Sequence, residues 1–184
     1  MSDSIYPVIS LAAGARYEID TDKRRLDRRL VHRFLARSHW AEGIPLEVVE
    51  RAIEHSLTFG LYRDGRQIGF ARVVTDHATF AYLADVFVLS RERGKGLGRW
   101  LVATILAHPA LQGLRRWLLG TRDAQKLYRG CGFRQPPAPF AFMERLDPGV
   151  YARPSQAPPG GRALAEPRRR TKTADQRYET REGT

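Results

Sequence analysis

The sequence predicts a mixed α/β (α+β) domain, a mostly antiparallel sheet with helices packed on it. Three observations carry that expectation. Residues 59–76, FGLYRDGRQIGFARVVTD, set two β-rich runs on either side of Asp64-Gly65, a dipeptide suited to the positive φ angles of a tight hairpin. Residues 83–90, LADVFVLS, form the near-continuous apolar run of a strand covered on both faces. Residues 28–40 and 45–57 repeat their apolar side chains at helical spacing.

Taken in order, YEIDTDKRRLD (17–27) reads as a strand running toward a helix, with Asp20 or Thr21 as its cap. The first helix, RRLVHRFLARSHW, places Leu30, Phe34 and Leu35 on one face. The second, PLEVVERAIEHSL, starts near Pro45 and presents Val48, Val49, Ala52, Ile53 and Leu57. The hairpin follows, then the turn DHATFAY and the buried strand. LGRWLVATILAHP (97–109) is a helix with Leu97, Leu101 and Ile105 at i, i+4 and i+8, stopped by Pro109. LRRWLLGT is a further strand, RDAQKLYRGCGF a short helix closed by Gly132, and FAFMERL (140–146) a last strand. The expected order is therefore β-αα-β-β-β-α-β-α-β.

Composition bounds the function. The 184 residues are 42% hydrophobic, enough for a core, and no apolar run reaches the ~20 residues of a membrane span. Residues 1–16 carry no basic leader and read as a loose N-terminus. One cysteine, Cys131, excludes an intrachain disulfide and a cysteine-based zinc cluster, and fits a reducing cytoplasm. Five scattered histidines offer no ligand spacing, so no metal is expected. The net charge of +11 calls for an anionic partner. Residues 149–184 form a basic Pro/Arg-rich tail, of which 153–184 hold eight Arg/Lys, four Asp/Glu and four prolines. With few apolar residues it is expected to be disordered and solvated, so its RRRTK run is read as a surface feature before a nucleic-acid site.

The loop RERGKGLGRWLV (91–102) follows the buried strand and opens a helix. It fails the P-loop pattern, because Leu89 stands where the first glycine belongs and Gly96 where Ser or Thr should follow Lys95. It fails the dinucleotide pattern, because Arg99 replaces the third glycine. What remains is Arg93-x-x-Gly96-x-Gly98. Glycines let backbone N–H groups converge on one concavity, and the start of a helix adds its positive end. Gly94, Lys95, Leu97 and Arg99 complete an anion site suited to a pyrophosphate.

About thirty residues later, AQKLYRGCGF supplies Ala124-x-x-Leu127-Tyr128-x-x-x-Gly132-Phe133. The two motifs, in this order and spacing, make residues 17–146 resemble the GNAT superfamily of acyl-CoA-dependent N-acyltransferases. The resemblance implies a GNAT-like domain over 17–148 whose central strands splay at the coenzyme A site. It implies an acetyl-CoA cosubstrate, with Phe87 and Val88 pairing through their backbones with pantetheine. Arg93, Gly94, Lys95, Gly96, Leu97, Gly98 and Arg99 would hold the phosphates. It makes Tyr128 the catalytic acid: a phenol of pKa ~10 can protonate the departing thiolate. Leu127 and Phe133 are read as packing residues.

Two positions depart from the resemblance. Ala84 stands where small-amine relatives carry a glutamate base, and Thr121 where many carry an asparagine. Strand alternation would turn Asp85 to the face opposite Ala84, where it braces its neighbours. Proton removal could then run through water, Tyr82, His77 or a helix-borne glutamate. Helices over 26–57, with Arg33, His39, Trp40, Glu42, Glu47, Glu50 and Glu54, would wall the acceptor cleft. The acceptor is a small-molecule or protein amine, and no membrane is involved. The oligomeric state is open, a homodimer included. Two other functions stay in view: an acyl-CoA-binding regulator or pseudoenzyme without transfer activity, and a nucleic-acid module built on the basic tail.

Overall fold

A computed structural model describes residues 9–10, 14–138 and 142–152. They belong to a compact unit ending at Ala152. The remaining tail, expected to be disordered, lies outside the described residues.

One six-stranded sheet runs in sequence order. Its strands are β1 (Ile9–Ser10), β2 (Arg16–Asp20), β3 (Leu57–Arg63), β4 (Arg66–Thr75), β5 (Phe80–Val88) and β6 (Arg116–Leu118). All neighbours are antiparallel except β5 and β6, which are parallel. The helices are α1 (Arg28–Leu35), α2 (Leu46–Glu54), α3 (Leu97–Leu106) and α4 (Gln125–Arg129). The predicted mixed, mostly antiparallel sheet with flanking helices is the fold observed.

Alternation along the strands divides the core in two. Phe70 and Phe87 join Val31 and Leu35 of α1 and Val49 and Ile53 of α2 on one face. Ala71, Val73, Leu83 and Val88 join Leu97, Leu101, Val102 and Ile105 of α3 on the other, with Leu127 and Tyr128 of α4 beside them. The i, i+4, i+8 spacing of Leu97, Leu101 and Ile105 thus marks a buried stripe, each side chain contributing roughly 1.5–3 kcal/mol by burial. Because helices cover both faces, β3 is buried through its whole interior instead of alternating.

Local signals set the connections. The β3–β4 hairpin turns on Asp64 and Gly65, at φ of 48° and 76°, the signs a two-residue primed turn requires. Asp76 closes the β4–β5 turn by accepting from the N–H groups of Ala78, Thr79 and Phe80. Those bonds hold its carboxyl far below the usual range, the Thr79 hydroxyl contributing most.

Four expectations need correction. The cap of α1 is Asp27, whose carboxylate accepts from Leu30 N–H at 2.8 Å, and not Asp20 or Thr21. Asp22 instead caps a 3-10 turn over Lys23–Arg25, so the chain bends once more before the helix begins. Within the stretch expected to be loose, Ile9–Ser10 pairs with the edge of β2. The last strand over 140–146 is not observed for residues 142–146, while 140–141 lie outside the described residues. Its apolar run is a local signal, whereas a strand also needs a paired edge. Met143 is instead 98% exposed. Finally, the folded part runs past residue 148, because Tyr151 in the 3-10 turn Val150–Ala152 packs against the α1/α2 cluster.

Candidate active site

The sheet opens between its last two strands, β5 and β6. Strands β5 and β6 pair at Phe80, Ala81 and Tyr82 against Arg116, Trp117 and Leu118, and then part. From Leu83 to Val88 no strand among the described residues lies beside the β6-facing edge of β5, so the backbone groups of alternate residues there face a gap. This is the expected splay. A cleft of about 1960 Å³ passes through it, lined by α1, β5, the glycine loop and α4. That is about twice the upper end of the ~300–1,000 Å³ typical of single-ligand pockets, space for a long ligand and a second one.

At one end stands the glycine loop. Gly94 and Gly96 have φ of 79° and 78°, a region where a Cβ is strained. Gly96 sits at the N-cap of α3, and the first intrahelical bond is Trp100 N–H to Gly96 C=O. The N–H groups of Leu97, Gly98 and Arg99 therefore lie free at the helix start, where its dipole favours an anion. Gly98 has a different reason: a Cβ there would stand 3.1 Å from Leu127 Cδ1, so the glycine lets α3 approach α4.

The basic residues of the loop divide. Arg93 and Arg99 line the cleft. Arg93 Nε donates to Val88 C=O at 2.9 Å, and Arg99 Nη2 to Gly130 C=O at 3.3 Å. Each is braced by one nitrogen with others left to bind. Lys95 is not among the lining residues; its ammonium donates to Glu92 at 2.7 Å. Glu92 is buried and also accepts from Arg63 at 3.0 Å and from the Tyr17 hydroxyl at 3.4 Å. The bond from Lys95, above all, holds its carboxyl below the usual range. Lys95 thus ties the loop to the sheet through Glu92, and its charge is largely cancelled there.

Val88 and Phe87 lie on the open stretch of β5. The Phe87 ring stacks on Phe34 of α1 at 3.8 Å, so its side chain is core while its backbone borders the cleft. Tyr128 stands across the gap on α4, half-buried, with Phe133 edge-on at 6.0 Å. Burial pushes its phenol up to about 12, with the Cys131 thiol, Asp123 and Tyr82 adding smaller effects in the same direction. It stays protonated through the neutral range. Thr121 Oγ1 accepts from Ala124 N–H at 3.0 Å at the entrance to α4.

Asp85 overturns the alternation argument. Between the pairs Arg72↔Ala84 and Phe70↔Phe87, β5 carries one residue more than β4, a β-bulge. Asp85 has φ of 55° there, uncommon for a non-glycine residue in a strand. The bulge puts Asp85 in the cleft lining together with Ala84. Its carboxylate pairs with Arg72 and accepts from Trp40 Nε1 at 3.2 Å, so it does brace its neighbours. The one hint in the sequence was an aspartate inside an apolar strand, where that residue is depleted.

Placement also sorts the other proton-accepting candidates. Tyr82 lines the cleft. His77 lies at the β4–β5 turn, its ring bonded to Ala110 C=O, and borders a separate hollow. None of Glu42, Glu47, Glu50 and Glu54 lines the cleft. Among the described residues no group of acidic, histidine or cysteine side chains could hold a metal, and no helix is long and apolar enough to cross a membrane.

Sequence and fold comparisons with known proteins point to one family. The profile of the Acetyltransferase (GNAT) family matches residues 24–133. The chain belongs to the GNAT acetyltransferase family. A crystal structure from Xanthomonas campestris pv. campestris, described as a GNAT-family protein provisionally assigned as an acetyltransferase, is 52% identical with a TM-score of 0.70. It covers 74% of this chain and 96% of its own. A Gibberella zeae protein, provisionally named an acetyltransferase, is 34% identical over 110 residues, 48% of this chain and 61% of that protein. An aminoglycoside N-acetyltransferase in complex with CoA shares the GNAT fold at 22% identity and a TM-score of 0.57, over 74% of this chain and all of its own.

Proposed function

We propose that this chain transfers an acetyl group from acetyl-CoA to a primary amine by direct attack within a ternary complex. The observation that carries this reading is the single cleft joining the free N–H groups of the α3 start, the open edge of β5 and the half-buried Tyr128. The residues present fit the cosubstrate. The glycine loop offers converging N–H groups, and Arg93 and Arg99 add charge for a pyrophosphate. On the open edge of β5, where the backbone groups of alternate residues point outward, Val86 and the N–H of Val88 offer hydrogen bonds to an extended amide-bearing arm.

When bound, acetyl-CoA supplies an activated acyl carbon and a thiolate leaving group. Tyr128 gives its phenolic proton to the sulfur as the C–S bond breaks and the C–N bond forms. It regains a proton that the attacking nitrogen sheds through solvent. Burial holds the phenol near 12, so it is protonated and able to hydrogen-bond the sulfur throughout the neutral range.

A thiol-release assay with acetyl-CoA against a panel of amines tests the reading. Release with at least one amine, lowered about 10²-fold or more in Tyr128→Phe, is expected. Tight CoA binding with no release from any amine would instead make this chain an acyl-CoA-binding regulator.

A further inference from the structure

The acceptor end of the cleft has an uneven charge. On β5 the acid that could draw a cation is Asp85, and both of its oxygens are engaged. One pairs with the Arg72 guanidinium and the other accepts from the Trp40 indole. Arg72 is also tied to Ser56 Oγ at 3.3 Å, so Asp85 and Arg72 cancel each other within the wall.

Two charges on the facing wall have no such partner. Arg33 and Arg37, one turn apart on α1 and the loop after it, are exposed and line the same cleft. Among the described residues neither has an acidic partner within ion-pair distance. Their place along β5 follows from their neighbours. Phe34 stacks on Phe87, while Trp40 reaches Asp85, two residues farther from the glycine loop. Arg33 adjoins Phe34 and Arg37 lies between Phe34 and Trp40 in sequence, so both belong to the wall that these anchors hold against β5 from Asp85 to Phe87. Arg93 and Arg99 serve the phosphate end. Arg91, Arg122, Asp123 and Lys126 also line the cleft, and Arg33 and Arg37 are the charges on its α1 wall.

We propose that the acceptor is an amine that also carries an anionic group, a carboxylate or a phosphate, held by Arg37 with Arg33 beside it. The inference rests on the transfer reading above. Guanidinium forks match both anions in bidentate geometry, whereas an additional cation on the acceptor meets uncompensated positive charge. Trp40, 47% exposed beside them, offers its indole face to the acceptor's carbon frame.

The test uses the full chain, acetyl-CoA and four amines: 2-aminoethanol, 1,4-diaminobutane, 4-aminobutanoate and O-phosphoethanolamine. A kcat/KM at least tenfold higher for the carboxylate or phosphate amine than for the neutral one is expected, with the diamine poorest. The carboxylate and phosphate arms decide which anion is preferred. The double variant Arg33→Gln/Arg37→Gln should collapse that ratio toward one while CoA affinity stays within twofold. Equal or better use of the diamine, or a ratio unchanged in the variant, overturns the proposal. Calorimetric titration of each amine into the CoA-saturated protein gives a second readout that does not need turnover. Absence of thiol release counts against the transfer reading. Preferential binding of the anionic amines, lost in the double variant, still supports the anion site, and equal or absent binding refutes it.

Discussion

Trp40 Nε1 donates to Asp85 Oδ1 at 3.2 Å, joining the loop after α1 to the bulge of β5 across the acceptor end of the cleft. Asp85 is held at φ of 55° while its other oxygen pairs with Arg72. A residue kept in a sparsely populated conformation by its surroundings marks a place where geometry matters. Asp85→Ala should therefore raise the acceptor KM about tenfold and leave CoA affinity within twofold, read by steady-state kinetics and calorimetry. Asp85→Gly removes the same carboxylate without the left-handed penalty, so it should melt higher than Asp85→Ala, by roughly 1 kcal/mol of stability.

Tyr128 is expected to act on the chemical step. In Tyr128→Phe, kcat should fall about 10²-fold or more with CoA affinity unchanged. Because burial raises the phenol to about 12, it remains an acid until pH approaches that value. The rate should climb with pH as the acceptor amine, with pKa ~10, loses its proton, and show no descending limb below about pH 10. A descending limb centred near pH 8 would remove Tyr128 as the acid.

Gly96 and Gly98 should fail differently. Gly96→Val places a β-branched residue at φ of 78°, so the N–H groups at the α3 start lose their alignment. CoA affinity is expected to drop at least tenfold by calorimetry. Gly98→Ala puts a methyl 3.1 Å from Leu127 Cδ1, next in sequence to Tyr128. Its effect should fall mainly on kcat, with a smaller change in CoA binding.

Glu92 is predicted to carry stability. Glu92→Gln weakens the charge-assisted bonds from Lys95 and Arg63 to a buried acceptor and should cost about 1–3 kcal/mol at pH 7 by denaturant unfolding. The folded carboxyl is held below its ordinary value, so its contribution is complete above that ordinary value, ~4.3. It is lost as pH falls through the folded value. The gap between wild type and variant should therefore close as the solution is acidified below about pH 4. A gap independent of pH would mean that shape, and not charge, is what the variant loses.

The sequence by itself determined every element whose signal is local. The hairpin needed only Asp64-Gly65 between two β-rich runs, α3 needed only Leu97, Leu101 and Ile105, and the turn from β5 into α3 needed only its glycines before a helix. Such patterns depend on the chain's own dihedral limits and periodicity. Tertiary structure decided whatever depends on a neighbour distant in sequence. The β5 bulge exists because β4 pairs with one residue fewer, and no count along 83–88 shows which residue is extra. Lys95 is drawn to Glu92, itself fixed by Arg63 and Tyr17 from other strands. The last strand failed for the same reason, since the apolar residues of 142–146 do not show whether a partner edge awaits them. Asp85 reads in the sequence as one acid in an apolar strand. Only its pairing with Arg72 and Trp40 shows that its charge is already spent.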